Sequence, residues 1–297
     1  MSSINIILKV HGVNKKMPHI QINDSISLFY EEFGQENKNT DKIIISAQVG
    51  FYKKGMQQYM AGLGYHVYCV TLRGFHPSTL VEEDYGEHWY DVFADDVVAF
   101  ADKMNISRFI YMGASHGSGV GWHLMLRNPN RVSLFVAVVG GPHSLAAGTM
   151  SYRQMLAQGI IKEIPPFNPP IDNDEARQLR RDRRAEHISK QPPAPELERQ
   201  VDYGRPLMAL GSEEKLCEEL RKITLPVLMI GGVEDPISTP ELMMRTAKCL
   251  PHCKLILYSN CGHDIDTDLI EEACDEADRF IKNAIKTGKW YLPVEEK

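Results

Sequence analysis

The sequence predicts an α/β protein: a mostly parallel, twisted sheet flanked by helices and interrupted by one inserted helical segment. Three observations carry this. Short β-rich apolar runs alternate with helical stretches along most of the chain. The runs are apolar throughout, as strands buried on both faces must be. The alternation stops once, between Gly141 and Gly211, where prolines and charges accumulate.

In chain order, His19 to Ile22 and Ser27 to Phe33 partly alternate, with Asn23-Asp24 in the turn between them. They read as an antiparallel hairpin at the sheet edge. Ile43-Ile44-Ile45, ending at Ser46, is a buried strand. Gln57 to Leu63 reads as helix, and Val67 to Val70 as the next strand. From Trp89 to Met104, Val92, Phe93, Val97 and Phe100 recur at helical spacing. Strand Phe109–Met112, helix Gly119–Leu126 and strand Leu134–Val139 follow. After the interruption come strand Val227–Ile230, helix Pro240–Cys249, strand Lys254–Tyr258 and a last helix over Leu269 to Lys286. The interruption holds prolines at 165, 166, 169, 170, 192, 193 and 195 and a charged run from Asp174 to Arg184. Prolines so dense break long helices. We read residues 142–211 as a cap of short helices laid over a core made of 1–141 and 212–297. A disordered linker is the competing reading, and Met155, Leu156, Ile160, Ile161 and Phe167 argue against it.

Composition bounds the function. With 297 residues, 43% of them hydrophobic, the chain can bury a core without staples. Its formal net charge of −6 lacks the basic field of a nucleic-acid binder. No apolar run approaches the roughly 20 residues that cross a membrane. Ile4 to Val10 is short, contains Lys9 and is followed by no small-residue cleavage site. The expectation is a cytoplasmic protein without nucleic-acid or membrane partners. Six cysteines are too few for a disulfide scaffold, and none form C-x-x-C. Reduced thiols are expected, with a single Cys249–Cys253 or Cys253–Cys261 bridge as the alternative.

The chemistry concentrates after strand Phe109–Met112, in Gly113-Ala114-Ser115-His116-Gly117, a G-x-S-x-G between strand and helix. Small residues two before and two after the serine let strand and helix approach. The helix N-terminus behind Ser115 offers free N–H groups. A serine hydroxyl needs a base. Strand Lys254–Tyr258 runs into Ser259-Asn260-Cys261-Gly262-His263, which puts His263 at a strand's C-terminal end, where α/β sheets place their sites. The base needs an acid. Strand Val227–Ile230 runs into Gly231-Gly232-Val233-Glu234-Asp235-Pro236.

The order Ser115…Asp235…His263 resembles that of the α/β-hydrolase family. Leu72-Arg73-Gly74-Phe75, Leu225-Pro226-Val227 and Gly262-His263 are similar to further family motifs. The resemblance covers nearly the whole chain outside the cap. It implies an α/β-hydrolase fold with Ser115 as nucleophile, His263 as base and Asp235, in preference to Glu234, as the acid. It places the oxyanion-hole donors on the backbone N–H groups of Phe51 and His116. The chain departs from the family in reading Val49-Gly50-Phe51 where His-Gly is common. Backbone donors tolerate that change. Some relatives carry the acid just before the cap; Gly140-Gly141-Pro142-His143 offers no carboxylate there.

The resemblance implies hydrolysis of a small-molecule carboxylic ester or lactone through an acyl-enzyme, with no metal or organic cofactor. Candidate substrate contacts are His143, Met150, Tyr152, Met155, Phe167 and Tyr203, each with cap packing or a structural turn as its competing reading. C–C bond hydrolysis of a vinylogous diketone would use the same three residues. A cofactor-free dioxygenase would use the His/Asp pair, and a non-catalytic receptor would keep only the pocket. Asp264, Asp266 and Asp268 resemble the start of a calcium loop, but Leu269 and Asp275 stand where Gly and Glu are needed. Gly113, Gly117, Gly119 and Gly121 lack the Lys-Ser/Thr of a phosphate loop. Arg177, Arg180, Arg181, Arg183 and Arg184, interleaved with acids, read as a solvated helix. His123 reads as packed on the helix after the elbow. Oligomeric state stays open.

Overall fold

The computed structural model describes residues 18–37, 40–48, 55–146, 150–171, 174–190, 205–289 and 291. Among these residues, eight strands form one sheet: β1 (His19–Gln21), β2 (Ser27–Phe33), β3 (Ile43–Gln48), β4 (His66–Thr71), β5 (Phe109–Ala114), β6 (Val132–Val138), β7 (Val227–Gly232) and β8 (Cys253–Tyr258). Their spatial order is β1-β2-β4-β3-β5-β6-β7-β8. All pairings from β4 to β8 are parallel. β1 and β2 form the expected antiparallel hairpin, and β2 joins the sheet antiparallel to β4. The hairpin turn closes on Asn23, whose Oδ1 accepts from the N–H groups of Ser25 at 3.0 Å and Ile26 at 2.9 Å. That self-bonding is why an Asx residue suits the position.

The apolar strands are buried on both faces because helices cover both. On one face lie α1 (Gly55–Gly62), the short α8 (Ile265–Asp268) and the C-terminal α9 (Ile270–Thr287). Helix α9 presents Ala273, Cys274, Ala277, Phe280, Ile281 and Ala284 to the sheet, at spacings of one, three and four. They pack with Met56, Met60, Ile110 and Leu228. The other face carries α2 (Trp89–Lys103), α3 (His116–Arg127), α6 (Glu213–Leu220) and α7 (Pro240–Cys249), whose core includes Trp89, Phe93, Trp122, Leu216 and Met243. The expected elements are all present. Several extend further than predicted: β5 runs on through Ala114 and α3 starts at His116, so the elbow between them is a single residue.

Among the described residues, the segment between β6 and α6 contains α4 (Tyr152–Ala157), α5 (Glu175–Ser189) and a 3₁₀ turn at Met208–Leu210. The expectation of short helices fails for α5, which runs 15 residues. The prolines lie on either side of it, and the charged run between them supplies strong helix formers. Asp174 caps it by accepting from the Arg177 N–H at 3.0 Å.

The cysteines also depart from expectation. Cys217 on α6 and Cys249 on α7 form a disulfide across 32 residues, neither of the pairings the sequence left open. The two helices lie against each other on the same face of the sheet, which brings the two Cα atoms to 5.1 Å. Cys69, Cys253, Cys261 and Cys274 are not in the disulfide. Burial pushes the Cys253 thiol up to about 12, which keeps it a neutral thiol.

Candidate active site

The sheet reverses direction beside β3: the chain leaves β3 for β4 on one side, then returns to place β5 on the other. Such a switch point opens a crevice at the strands' C-terminal ends. Ser115 follows β5 there, Asp235 follows β7 and His263 follows β8.

Ser115 occupies the one-residue elbow at φ 52° and ψ −116°. A non-glycine residue there is strained and persists because its surroundings hold it. Two glycines make the turn feasible. A Cβ on Gly113 would come within 2.4 Å of the Gly117 backbone, and one on Gly117 within 2.5 Å of the Ala47 carbonyl oxygen. Ser118 Oγ then ties the helix start back to the sheet, donating to the carbonyls of Gly113 at 2.7 Å and Val138 at 3.0 Å.

His263 bridges the other two residues. Its Nε2 lies 2.9 Å from Ser115 Oγ, and its Nδ1 lies 2.8 Å from Asp235 Oδ2. With Nδ1 donating to the carboxylate, Nε2 is left to accept the serine proton. Asp235 is 2% exposed, and its Oδ1 accepts from the N–H groups of Ile237 at 2.8 Å and Ser238 at 3.0 Å. Those bonds keep a buried carboxylate satisfied and aimed at the imidazole. Glu234 points elsewhere, accepting the Cys261 N–H at 2.9 Å.

A cavity of about 410 Å³ opens onto Ser115 and His263. His143, Met150, Tyr152, Met155 and Phe167 all line it. Phe51 and Tyr203 lie outside the described residues. His116 also lines the cavity, and its Nδ1 meets the Tyr90 hydroxyl in a short hydrogen bond. His123 is packed: its Nδ1 lies 2.8 Å from Asp91, and its Nε2 accepts the Leu207 N–H at 3.0 Å. Accepting at Nε2 makes His123 the neutral tautomer with its proton on Nδ1.

The sequence reading missed Ile237 and Leu242, and also Arg205, which is 5% exposed on the cavity wall. Their positions beside the Asp235 loop could have flagged the first two. Nothing periodic marks Arg205. The arginine run is a correction. Arg177 and Arg181 reach Asp268, Arg180 reaches Glu271, and Arg184 pairs with Asp264. This face of α5 is docked on the loop beyond His263 instead of solvated. Asp268 is 1% exposed, and a buried carboxylate needs such partners. Asp264 and Asp268, two of the acids that resembled a calcium loop, are thus occupied by cations of the same chain. Among the described residues no cluster of three or more His, Cys, Asp or Glu side chains is arranged to hold a metal.

Residues 45–269 match the family model described as "Serine aminopeptidase, S33". The chain belongs to this family of α/β-hydrolases. Among curated proteins it is similar to 3-oxoadipate enol-lactonase 2 of Acinetobacter baylyi, 25% identical over 72% of this chain and 78% of that one. It is similar also to 2-hydroxymuconate semialdehyde hydrolase of a Pseudomonas species, 27% identical over 58% of this chain and 62% of that one. Among solved structures, an N-acyl homoserine lactone degrading enzyme superposes with a TM-score of 0.67 at 21% identity, over 89% of this hydrolase and all of that chain. That likeness speaks to the fold alone.

Proposed function

We propose that this α/β-hydrolase cleaves a small-molecule carboxylic ester or lactone through an acyl-enzyme on Ser115. The observation that carries the reading is the unbroken hydrogen-bond chain from Ser115 Oγ through His263 to Asp235. As Ser115 Oγ bonds the substrate carbonyl carbon, its proton passes to His263 Nε2. Asp235 holds the imidazole in the receptive tautomer and stabilises the imidazolium. The carbonyl oxygen becomes an oxyanion, received by the backbone N–H groups of His116 and Phe51. Each such donor is typically worth about 3 kcal/mol. His263 then gives its proton to the departing alkoxide oxygen as the C–O bond breaks. In a lactone, that alcohol stays tethered to the acyl group. Water, deprotonated by His263, attacks the acyl-enzyme and releases the acid and free Ser115.

The cavity suits a small ligand, within the usual range of about 300–1,000 Å³. We read its roof, within residues 142–211, as a cap that sets specificity, with His143, Met150, Tyr152, Met155, Phe167 and Tyr203 as substrate contacts. The lactonase named among the relatives supports the ester and lactone class.

Ser115→Ala is expected to abolish turnover of short p-nitrophenyl esters. Wild-type turnover in that variant would overturn the mechanism. A second reading, hydrolysis of a C–C bond in a vinylogous diketone, is favoured by the semialdehyde hydrolase relative. A panel of esters, lactones and such diketones separates the two by which bond is cleaved. Oxygen uptake surviving Ser115→Ala would select the cofactor-free dioxygenase instead.

A further inference from the structure

The loop that carries His263 is gripped by the segment between β6 and β7. The Phe167 carbonyl accepts the His263 backbone N–H at 2.8 Å. Next to it, Asn168 and Asp264 bond reciprocally. Asn168 Nδ2 donates to Asp264 Oδ2 at 2.6 Å, and the Asp264 backbone N–H donates to Asn168 Oδ1 at 2.9 Å. The backbone N–H groups of residues 263 and 264 therefore both end on residues 167 and 168.

The fit leaves no slack. A Cβ on Gly262 would lie 2.1 Å from the Phe167 carbonyl oxygen and 2.7 Å from the Asn168 Cα. The Phe167 ring meets the His263 ring edge-on, centroids 6.2 Å apart. Arg184 pairs with Asp264 on the same carboxylate oxygen, and Arg177 Nη2 donates to the Asn260 carbonyl at 3.0 Å. Asp264 is 6% exposed, so its bonds are made out of competition with water.

We propose that Asn168 is a positioning residue: its paired bonds to Asp264 fix the backbone from which the His263 imidazole reaches Ser115. The base is then aligned when this segment is seated on the core, which ties substrate enclosure to competence for the first chemical step. The proposal rests on the reading of His263 as base. A misplacement of about 1 Å in such a group can cost about 100-fold in rate.

The test is the rate at which a fluorophosphonate labels Ser115, measured with steady-state ester kinetics and thermal melts. Asn168→Ala and Asn168→Asp are compared with the double variant Asn168→Asp/Asp264→Asn. The first removes both bonds, and the second sets two carboxylates face to face. The double variant restores the side-chain pair with donor and acceptor exchanged, and leaves Arg184 one carboxylate to pair with, now at position 168. The expected result is labelling and kcat slowed about 10- to 100-fold in both single variants. KM should change little, and the double variant should recover most of the loss. Should Asn168→Ala fail to fold, the comparison of Asn168→Asp with the double variant carries the test. Single variants that label as fast as wild type would overturn the proposal. So would a double variant as slow as Asn168→Asp, or losses that simply track the melting temperatures. Wild-type protein that does not label at Ser115 would remove the underlying reading as well. Labelled wild type with equally fast variants would sink the Asn168 proposal alone.

Discussion

At the scale of single residues, adjacent carboxylates have separate tasks. Asp235 is bonded to His263 and to two backbone N–H groups, while Glu234 is turned to the Cys261 N–H. Asp235→Asn should keep that geometry yet offer the imidazole the wrong partner, lowering kcat about 10⁴-fold. Glu234→Gln should leave kcat near wild type, since an amide oxygen still accepts the Cys261 proton. Steady-state kinetics on the two variants makes the comparison. Asp91 gives a pH prediction. Its hydrogen bond to His123, outweighing the opposing effect of burial, holds its carboxyl well below the ordinary carboxylate range, with His88 and Arg127 contributing in the same direction. A carboxyl lowered on folding stabilises above its unfolded value, about 3.9, and that contribution fades as pH falls toward the folded value. Asp91→Asn should therefore melt below wild type at neutral pH, and the gap should narrow in acid below about pH 4. A gap that stays constant with pH would contradict this. Ser115, Asp235 and His263, which the structure brings within hydrogen-bond distance of one another, were legible from the sequence because each follows an apolar strand at a fixed place. The orientation of Glu234 and the side-chain role of His116 were not, since both depend on neighbours distant in sequence.

At the scale of elements, the strands and helices were readable because burial imposes its period on them. Helix α5 was misjudged: its own sequence is charged on all sides, and its partners, Asp264, Asp268 and Glu271, lie eighty or more residues away. Periodicity cannot report an ion pair between residues far apart in sequence. Arg181 holds Asp268 with two bonds, from Nε at 2.9 Å and Nη2 at 2.5 Å. Arg181→Met should destabilise by about 3 kcal/mol, at the lower end of the usual cost because Arg177 still reaches the stranded carboxylate. Chemical denaturation of the variant measures it, and a change near zero would mean the contact is not formed in solution. The elbow makes a parallel prediction. Gly117→Ala must displace the Ala47 carbonyl, costing about 1–3 kcal/mol as an overpacked contact.

At the scale of the whole molecule, the parallel sheet, its two covered faces and the site at the strands' C-terminal ends all followed from the order of apolar runs. The disulfide did not, because cysteine spacing says nothing about which helices share a face. Closing a loop of 32 residues should stabilise by about 3–4 kcal/mol. A reductant should lower the melting temperature of the wild type and leave a Cys217→Ser/Cys249→Ser variant unmoved. Identical melting in both would show that the bridge contributes nothing.

The proposed function rests on Ser115 having a hydroxyl that the imidazole beside it makes nucleophilic. Reaction of the intact protein with a fluorophosphonate, followed by mass mapping of the adduct, reads this out directly. The adduct is expected on the peptide containing Ser115 and should be lost in His263→Ala. An adduct on any other residue, or none on the folded wild-type protein, would contradict the account.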